Sequence, residues 1–191
     1  MCLFRSIILF LFAAAAAGSG VEFRWHILSP RWEVKTLADG FIPDSISTPT
    51  TVQEQVSLPA PPPVRQSWKR LPSERTLYVL DARLVKVMED LDRDYKFVIE
   101  DPKTGAQMLA EIPDPDAYGS AKYRPAFRKA RYIIDSVADR VPGYSDIRFD
   151  PEPLVRVTGI GFFDQAHYAP YHGTAPNNRE IHPVLRIEVV R

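Results

Sequence analysis

The chain has little cysteine, no net charge and no long apolar run, and each shortage excludes a class of protein. A single cysteine, Cys2, in 191 residues excludes a disulfide within the chain. Lys+Arg and Asp+Glu both number 24, so the positive field that holds nucleic acids or acidic membranes is missing and we expect no nucleic-acid partner. Only 9 glycines stand against 18 prolines, and because proline lacks a backbone donor, proline-rich segments are poor strand or helix interiors.

The longest apolar run extends from Ser6 to Ala17 and is too short for a membrane-spanning helix, which takes about 20 residues. It follows the basic Arg5 and precedes the small residues 18–20, an order typical of a secretory signal peptide. We therefore expect residues 1–20 to be a signal peptide and the mature protein to be secreted or periplasmic. No transmembrane span is expected to remain after cleavage.

Residues 21–75 are expected to form an N-terminal segment followed by a proline-rich linker. Between Pro43 and Pro72 the prolines alternate with Ser, Thr and Gln and show no apolar periodicity, which predicts an extended, disordered tether. Residues 21–42 allow two interpretations, a short strand or a flap that docks on the domain. Both interpretations depend on the apolar side chains of this segment, which are Phe23, Trp25, Ile27, Trp32 and Val34.

From residue 76 onward the pattern changes to strands with one helix. In the strand segments, branched and aromatic residues alternate with polar ones, whereas the helical segment repeats its apolar residues every three or four positions. The predicted elements are strands 77–88, 95–100 and 107–112, a helix over 125–139, and strands 154–163 and 184–190. The order is therefore β-β-β-α-β-β.

This order predicts a mainly β domain over residues 76–191 that closes into a five-stranded OB-fold-like barrel, with the helix between the third and fourth strands. The long first strand must bend, and Gly159 and Gly161 indicate a bulge or a close backbone approach in the fourth strand. OB barrels bind ligands with the loops after the first and fourth strands. Here those loops are residues 89–94 and 164–182.

Acidic, amide and imidazole groups concentrate in and near these two loops. Carboxylates and imidazoles together are typical ligands of divalent metals, so a divalent metal is the one cofactor that the sequence suggests. The candidate metal ligands are Asp94, Glu111, Asp164, His167, His172 and His182. The candidate ligand-binding residues are Asp92, Asp94, Asn177, Glu180, Tyr168 and Tyr171, whose tyrosines offer stacking faces to a sugar or peptide.

Ordinary structural roles remain open for the same residues. His182 precedes Pro183 at a predicted strand start, a position typical of a histidine that only hydrogen-bonds its surroundings. The acidic run 89–94 is equally typical of a solvated turn.

Several motifs occur together near the C-terminal end: VTGIGFFD at 157–164, His167, APN at 175–177 and EIHPV at 180–184. With DRDY at 92–95 and AEIP at 110–113, the domain resembles an uncharacterised family of exported bacterial proteins, a resemblance that implies no assigned activity. The chain departs from that pattern at Lys96, where a histidine is usual, and in a longer stretch over 168–174. It also lacks a cysteine pair near 115–120.

Two shorter segments carry a second resemblance, Asp92-Arg93-Asp94-Tyr95 and Glu111-Ile112-Pro113-Asp114. They are similar to the metal-binding segments of thermonuclease-like OB domains such as staphylococcal nuclease. The resemblance implies that Asp94 and Glu111 are metal ligands and that Asp114 assists the attacking water. Ala106 stands where that family has a phosphate-binding arginine, and phosphoryl transfer needs positive groups for the developing charge, so the sequence favours a protein that is not an enzyme.

Three functional hypotheses follow. The first is an exported binding module whose ligand, a glycan, a peptide or an envelope component, contacts loops 89–94 and 164–182. The second is a metal-dependent phosphodiesterase or nuclease of the thermonuclease type. The third is a structural envelope protein without a small ligand.

Overall fold

The computed structural model describes residues 31–62, 69–116, 121–164 and 174–190. The predicted signal peptide lies outside this part of the chain, and so do four candidate site residues, His167, Tyr168, Tyr171 and His172. No helix among the described residues is both long enough and apolar enough to cross a membrane.

Most of the described strands join in a closed barrel. The strands are β1 (Thr48–Pro49), β2 (Leu77–Glu89), β3 (Tyr95–Glu100), β4 (Gln107–Ile112), β5 (Ile147–Arg148), β6 (Leu154–Phe163) and β7 (Arg179–Val189). The ring order is β2-β3-β4-β7-β6, and β6 pairs again with β2. The β4–β7 pairing is parallel and the other ring pairings are antiparallel. The described residues therefore confirm the predicted five-stranded OB-like barrel.

Strand β2 closes the ring because its two halves pair with different neighbours. Residues 77–83 pair with β6, and residues 83–89 pair with β3 across a register shift between Leu84 and Lys86. This shift is the predicted bend. In β6, a Cβ atom added at Gly159 would lie 2.5 Å from the Pro183 carbonyl oxygen. The close backbone approach predicted for this strand is therefore confirmed as well.

The helices are α1 (Trp32–Lys35), α2 (Val52–Val56) and α3 (Arg124–Ala138), and a 3-10 turn covers Pro72–Glu74. Helix α3 matches the predicted helix to within one residue, and Pro125 lies in its first turn, where the missing donor has no cost. Its apolar stripe of Phe127, Ala130 and Ile134 is at most 1% exposed and contacts the barrel core. The helix therefore plugs the barrel, as its position between β4 and β6 predicts.

The structure differs from the predicted tether over residues 43–62. Strand β1 pairs in parallel with β2, and α2 follows it behind a capping box formed by Thr51 and Glu54. Val52 of α2 is fully buried in the barrel core. The contact of α2 with the core could not be predicted from the proline-rich composition, because a two-residue strand and a five-residue helix are too short to show an apolar period.

Residues 31–39 dock on the barrel, which agrees with the flap interpretation. Trp32 and Val34 are each 3% exposed. The Arg31 guanidinium donates to Glu74 at 2.8 Å and to the Phe163 carbonyl oxygen at 3.0 Å. These contacts fix α1 against the end of β6.

Strand β7 begins at Arg179, five positions before the predicted start at residue 184. Pro183 lies inside the strand, beside the irregular register of the β6–β7 pairing. The earlier start matters for the site because it places Glu180 and His182 on a strand and not in a loop.

Candidate metal site

The candidate site lies on the outer face of the barrel wall. Met108, Ala110 and Ile112 of β4 belong to the core, so the alternation of a strand directs Glu111 to the opposite face. Ile181 of β7 likewise belongs to the core, and its neighbours Glu180 and His182 face outward. Although these three side chains face away from the barrel interior, Glu111, Glu180 and His182 are at most 3% exposed.

Three carboxylates surround the imidazole of His182. Its Nδ1 atom lies 3.1 Å from Glu111 Oε2 and 3.2 Å from Glu180 Oε1. Its Nε2 atom faces Asp94 Oδ2 at 3.4 Å. Asp94 reaches the site from the residue before β3, and its other oxygen accepts a hydrogen bond of 2.9 Å from the Asp114 amide, which fixes the carboxylate.

Two of these atoms carry unused bonding capacity. Asp94 Oδ2 and His182 Nε2 are fully buried and have no hydrogen-bond partner among the described residues. Their separation exceeds the usual length of a charged N–H···O bond, which is about 2.7–2.9 Å. A buried polar atom without a partner costs free energy, so the pair is typical of a site that accepts a further group.

Asp94, Glu111 and His182 each offer one ligand atom, and these atoms all lie within 4.8 Å of one another. The two carboxylates beside Nδ1 favour a proton on that nitrogen, since both can accept it. In the neutral imidazole Nε2 then carries the lone pair, and Glu180, which bonds Nδ1 at 3.2 Å, is the kind of carboxylate that usually supports a metal-binding histidine. The arrangement fits a divalent cation between Asp94 and His182 beside Glu111.

The electrostatics indicate an excess of negative charge. Burial, together with Asp94 and Glu111, raises the pKa of Asp92 to about 7. Burial and the neighbouring carboxylates Glu111 and Asp164 also raise the pKa of Glu180. Burial alone would lower the pKa of the His182 imidazole, but its contacts with Asp94, Glu111 and Glu180 raise it well above its usual range. The cluster therefore attracts a proton or another cation.

Two lysines offset part of this charge. Lys96 of β3 is the cross-strand neighbour of Glu111, and its ammonium lies 3.4 Å from Glu111 Oε1 and also contacts Asp90. Lys35 of α1 is also buried, and its ammonium lies 3.7 Å from Asp164 Oδ1. Burial would raise the pKa of Glu111, yet Lys96, Lys35 and His182 together hold it well below its usual range.

The structure brings together three of the six predicted metal ligands, Asp94, Glu111 and His182. The predicted ligand-binding residues Asp92 and Glu180 border them, and both are buried. Asp164 is not part of this group of three, and its carboxylate pairs with the Lys35 ammonium. His167 and His172 lie outside the described residues, as do Tyr168 and Tyr171.

Asn177 lies in the predicted loop 164–182, and its side chain bonds backbone groups. Its amide nitrogen donates to the carbonyl oxygens of Gln55 and Leu58, and its oxygen accepts from the Arg179 amide. Asn177 therefore ties α2 to the start of β7. Asp114, the acid that the thermonuclease resemblance implies, is 2% exposed and its Oδ2 lies 3.3 Å from Arg93 Nε.

Sequence reasoning missed the role of Lys35. The available signal was the pair of apolar residues Trp32 and Val34, which indicated docking. It gave no partner for the lysine that follows Val34. Lys96 was visible only as a departure from the family pattern. Neither residue shows its pairing locally, because each meets carboxylates that are distant in sequence.

Comparison with known proteins adds no relative: no family model, curated protein or solved structure matches the chain.

Proposed function

We propose that this chain is a divalent-cation-binding module, in which Asp94, Glu111 and His182 hold the ion on the outer wall of an OB-like barrel. The observation that carries the proposal is the pair of buried atoms Asp94 Oδ2 and His182 Nε2, which face each other without a hydrogen-bond partner in the described part of the chain. A cation between them satisfies both atoms at once.

The donor set suggests which ions bind. An imidazole nitrogen with carboxylate oxygens suits zinc or manganese, whereas calcium sites are built from six to eight oxygens. The side chains of Lys96, which contacts Glu111, and of its partner Asp90 are 27% and 31% exposed, so we expect the ion to enter from the side of loop 89–94. We therefore expect zinc to bind more tightly than calcium.

The burial of the cluster separates this proposal from the nuclease hypothesis. Asp94, Glu111 and Asp114 are at most 3% exposed, so a nucleic-acid phosphate has no access to them. The structural hypothesis is favoured by histidines that are buried and bonded to backbone: His182 is buried, but its ring nitrogens contact three carboxylates, and His167 and His172 lie outside the described residues. The binding-module hypothesis is kept, with a cation as the ligand nearest loops 89–94 and 164–182.

We also propose that the module works outside the cytoplasm. The support is the sequence of residues 1–20, which has the basic start, apolar run and small residues of a signal peptide. Fractionation of cells that express the full chain checks this address: we expect the mature chain in the periplasm or the medium, shortened near residue 20.

The metal proposal is tested by titration of protein that has been stripped with a chelator. We expect saturable binding of one Zn²⁺ per chain and weaker binding of Ca²⁺ by calorimetry. Asp94→Asn keeps the acceptor for the Asp114 amide but removes the charge at Oδ2, so zinc affinity should fall about a hundredfold. Asp146→Asn, which removes a carboxylate paired with Lys86 on the surface, is the matched control and should bind normally.

Absence of saturable binding by wild-type protein, or equal zinc affinity in Asp94→Asn, would refute the proposed site. Glu111→Gln provides a second variant, with Glu100→Gln on β3 as its control because Glu100 pairs with Arg83 away from the cluster. We expect weaker binding in the first and unchanged binding in the second.

A further inference from the structure

Lys35 is a buried cation that a distant part of the chain places near the metal site. It belongs to α1, and the residue is 5% exposed. Its ammonium lies 3.7 Å from Asp164 Oδ1 and 5.4 Å from the centre of the Phe162 ring. The Phe162 ring in turn lies 5.7 Å from the His182 ring and is tilted by 57° to it. The lysine therefore shares the low-dielectric space of the cluster.

The charges acting on Lys35 are those of the metal site. Burial alone would lower the pKa of the Lys35 ammonium, but Asp164, Glu111, Glu180 and Asp92 outweigh it and raise the pKa well above its usual range. Lys35 thus remains a full positive charge at neutral pH, and Glu111, a proposed ligand of the cation, is among the carboxylates that act on it. A resident positive charge and an incoming divalent ion repel each other.

The position of Lys35 does not depend on its own ion pair. Arg31 anchors one end of α1 to Glu74 and to the Phe163 carbonyl oxygen. Arg70 donates to the Val34 carbonyl oxygen at 2.7 Å and pairs with Asp39. These two arginines hold the segment against the barrel, so a change at Lys35 alters the charge of the site while the segment stays docked.

We propose that Lys35 is a built-in counter-cation that weakens the affinity of the Asp94, Glu111 and His182 site for divalent ions. This inference rests on the proposed function. The lysine stabilises the metal-free protein by partly neutralising the carboxylates, and the ion must compete with it. Because coupling is reciprocal, a bound ion must weaken the interaction of the Lys35 ammonium with these carboxylates by the same factor.

The test measures zinc affinity of the full chain, after chelator treatment, for Lys35→Met and for wild type. Removing the positive charge should tighten zinc binding about tenfold or more. Lys35→Arg keeps the charge and should remain within about threefold of wild type. Lys129→Met, an exposed lysine of α3, is the matched control and should leave the affinity unchanged.

The outcomes separate the two proposals. If wild type binds zinc and Lys35→Met binds with equal or lower affinity, the role of Lys35 is refuted and the metal site stands. If neither wild type nor Lys35→Met binds, the metal site itself is refuted. Binding by Lys35→Met alone would support both, with a lysine that blocks the site almost completely.

Lys35→Met leaves carboxylates without their counter-charge and can fail to fold without metal, so Lys35→Gln, which is polar and uncharged, is measured as a second variant. We expect Lys35→Gln to bind zinc about tenfold more tightly than wild type, because it also removes the positive charge. Zinc affinity of Lys35→Gln equal to or below that of wild type would overturn the role of Lys35.

Discussion

Asp94 Oδ2 and His182 Nε2 face each other at 3.4 Å, and both atoms are buried without a hydrogen-bond partner in the part of the chain that the structure describes. Asp94 directly precedes β3, and His182 lies within β7. Only the closure of the barrel brings them together. A protonated imidazole between three carboxylates and a neutral imidazole bound to a metal are the two states that satisfy both atoms of this pair.

The first prediction concerns the N-terminal segment. Val52→Ala removes two methyl groups from a side chain that is fully buried in the barrel core, so it should lower the free energy of unfolding by about 2 kcal/mol. Val141→Ala makes the same change at a side chain that is 69% exposed and should have an effect below about 0.5 kcal/mol. Urea denaturation of the two variants measures the difference.

Equal stability of Val52→Ala and wild type would contradict the integration of α2 into the core. It would instead support the extended tether that the composition of residues 43–62 predicts.

The second prediction concerns Asp101, which links α2 to the turn after β3. Its carboxylate accepts the amides of Lys103 at 2.9 Å and of Gln53 at 3.3 Å. Burial raises the pKa of Asp101, but these bonds and that of Thr104 outweigh burial, so the pKa lies below its usual value. A lowered pKa contributes stability above the unfolded pKa of about 3.9, and that stability is lost as the pH falls through the folded pKa.

Asp101→Asn should therefore cost about 1–2 kcal/mol at pH 7, because an amide nitrogen would face the Gln53 amide. The difference from wild type should shrink as the pH falls below the unfolded pKa of about 3.9, because the unfolded chain then binds a proton that the folded carboxylate with its lowered pKa does not. Thermal unfolding across this pH range checks the trend. Asp44→Asn, at an exposed position, should track wild type throughout, and a constant penalty for Asp101→Asn at every pH would contradict the role of its charge.

The barrel could be predicted from sequence because its long elements carry strong periodic signals. The alternation of Tyr95, Phe97 and Ile99 and the apolar stripe of α3 depend on neighbours in the chain, and β3 and β4 match their predicted ranges. The early start of β7 could not be predicted, since Pro183 indicates a strand boundary until its neighbour β6 is known to have an irregular register beside it.

The site could be predicted only in part. Asp94, Glu111 and His182 were candidates because the chemistry of their side chains is visible in the sequence. Their burial was not visible, because the segment that covers them, residues 31–39, is held by Arg31 and Arg70 through partners that are distant in the chain. Long-range ion pairs of this kind leave no local pattern, and Lys35 could not be assigned without the fold.

The most direct test of the metal site is anomalous diffraction from crystals of chelator-treated protein soaked in Zn²⁺, with data collected on both sides of the zinc absorption edge. We expect one strong peak between Asp94 Oδ2 and His182 Nε2 and beside Glu111, at about 2.0–2.2 Å from each ligand atom. A fully soaked crystal that shows no peak there, or shows zinc only on surface residues, would contradict the account.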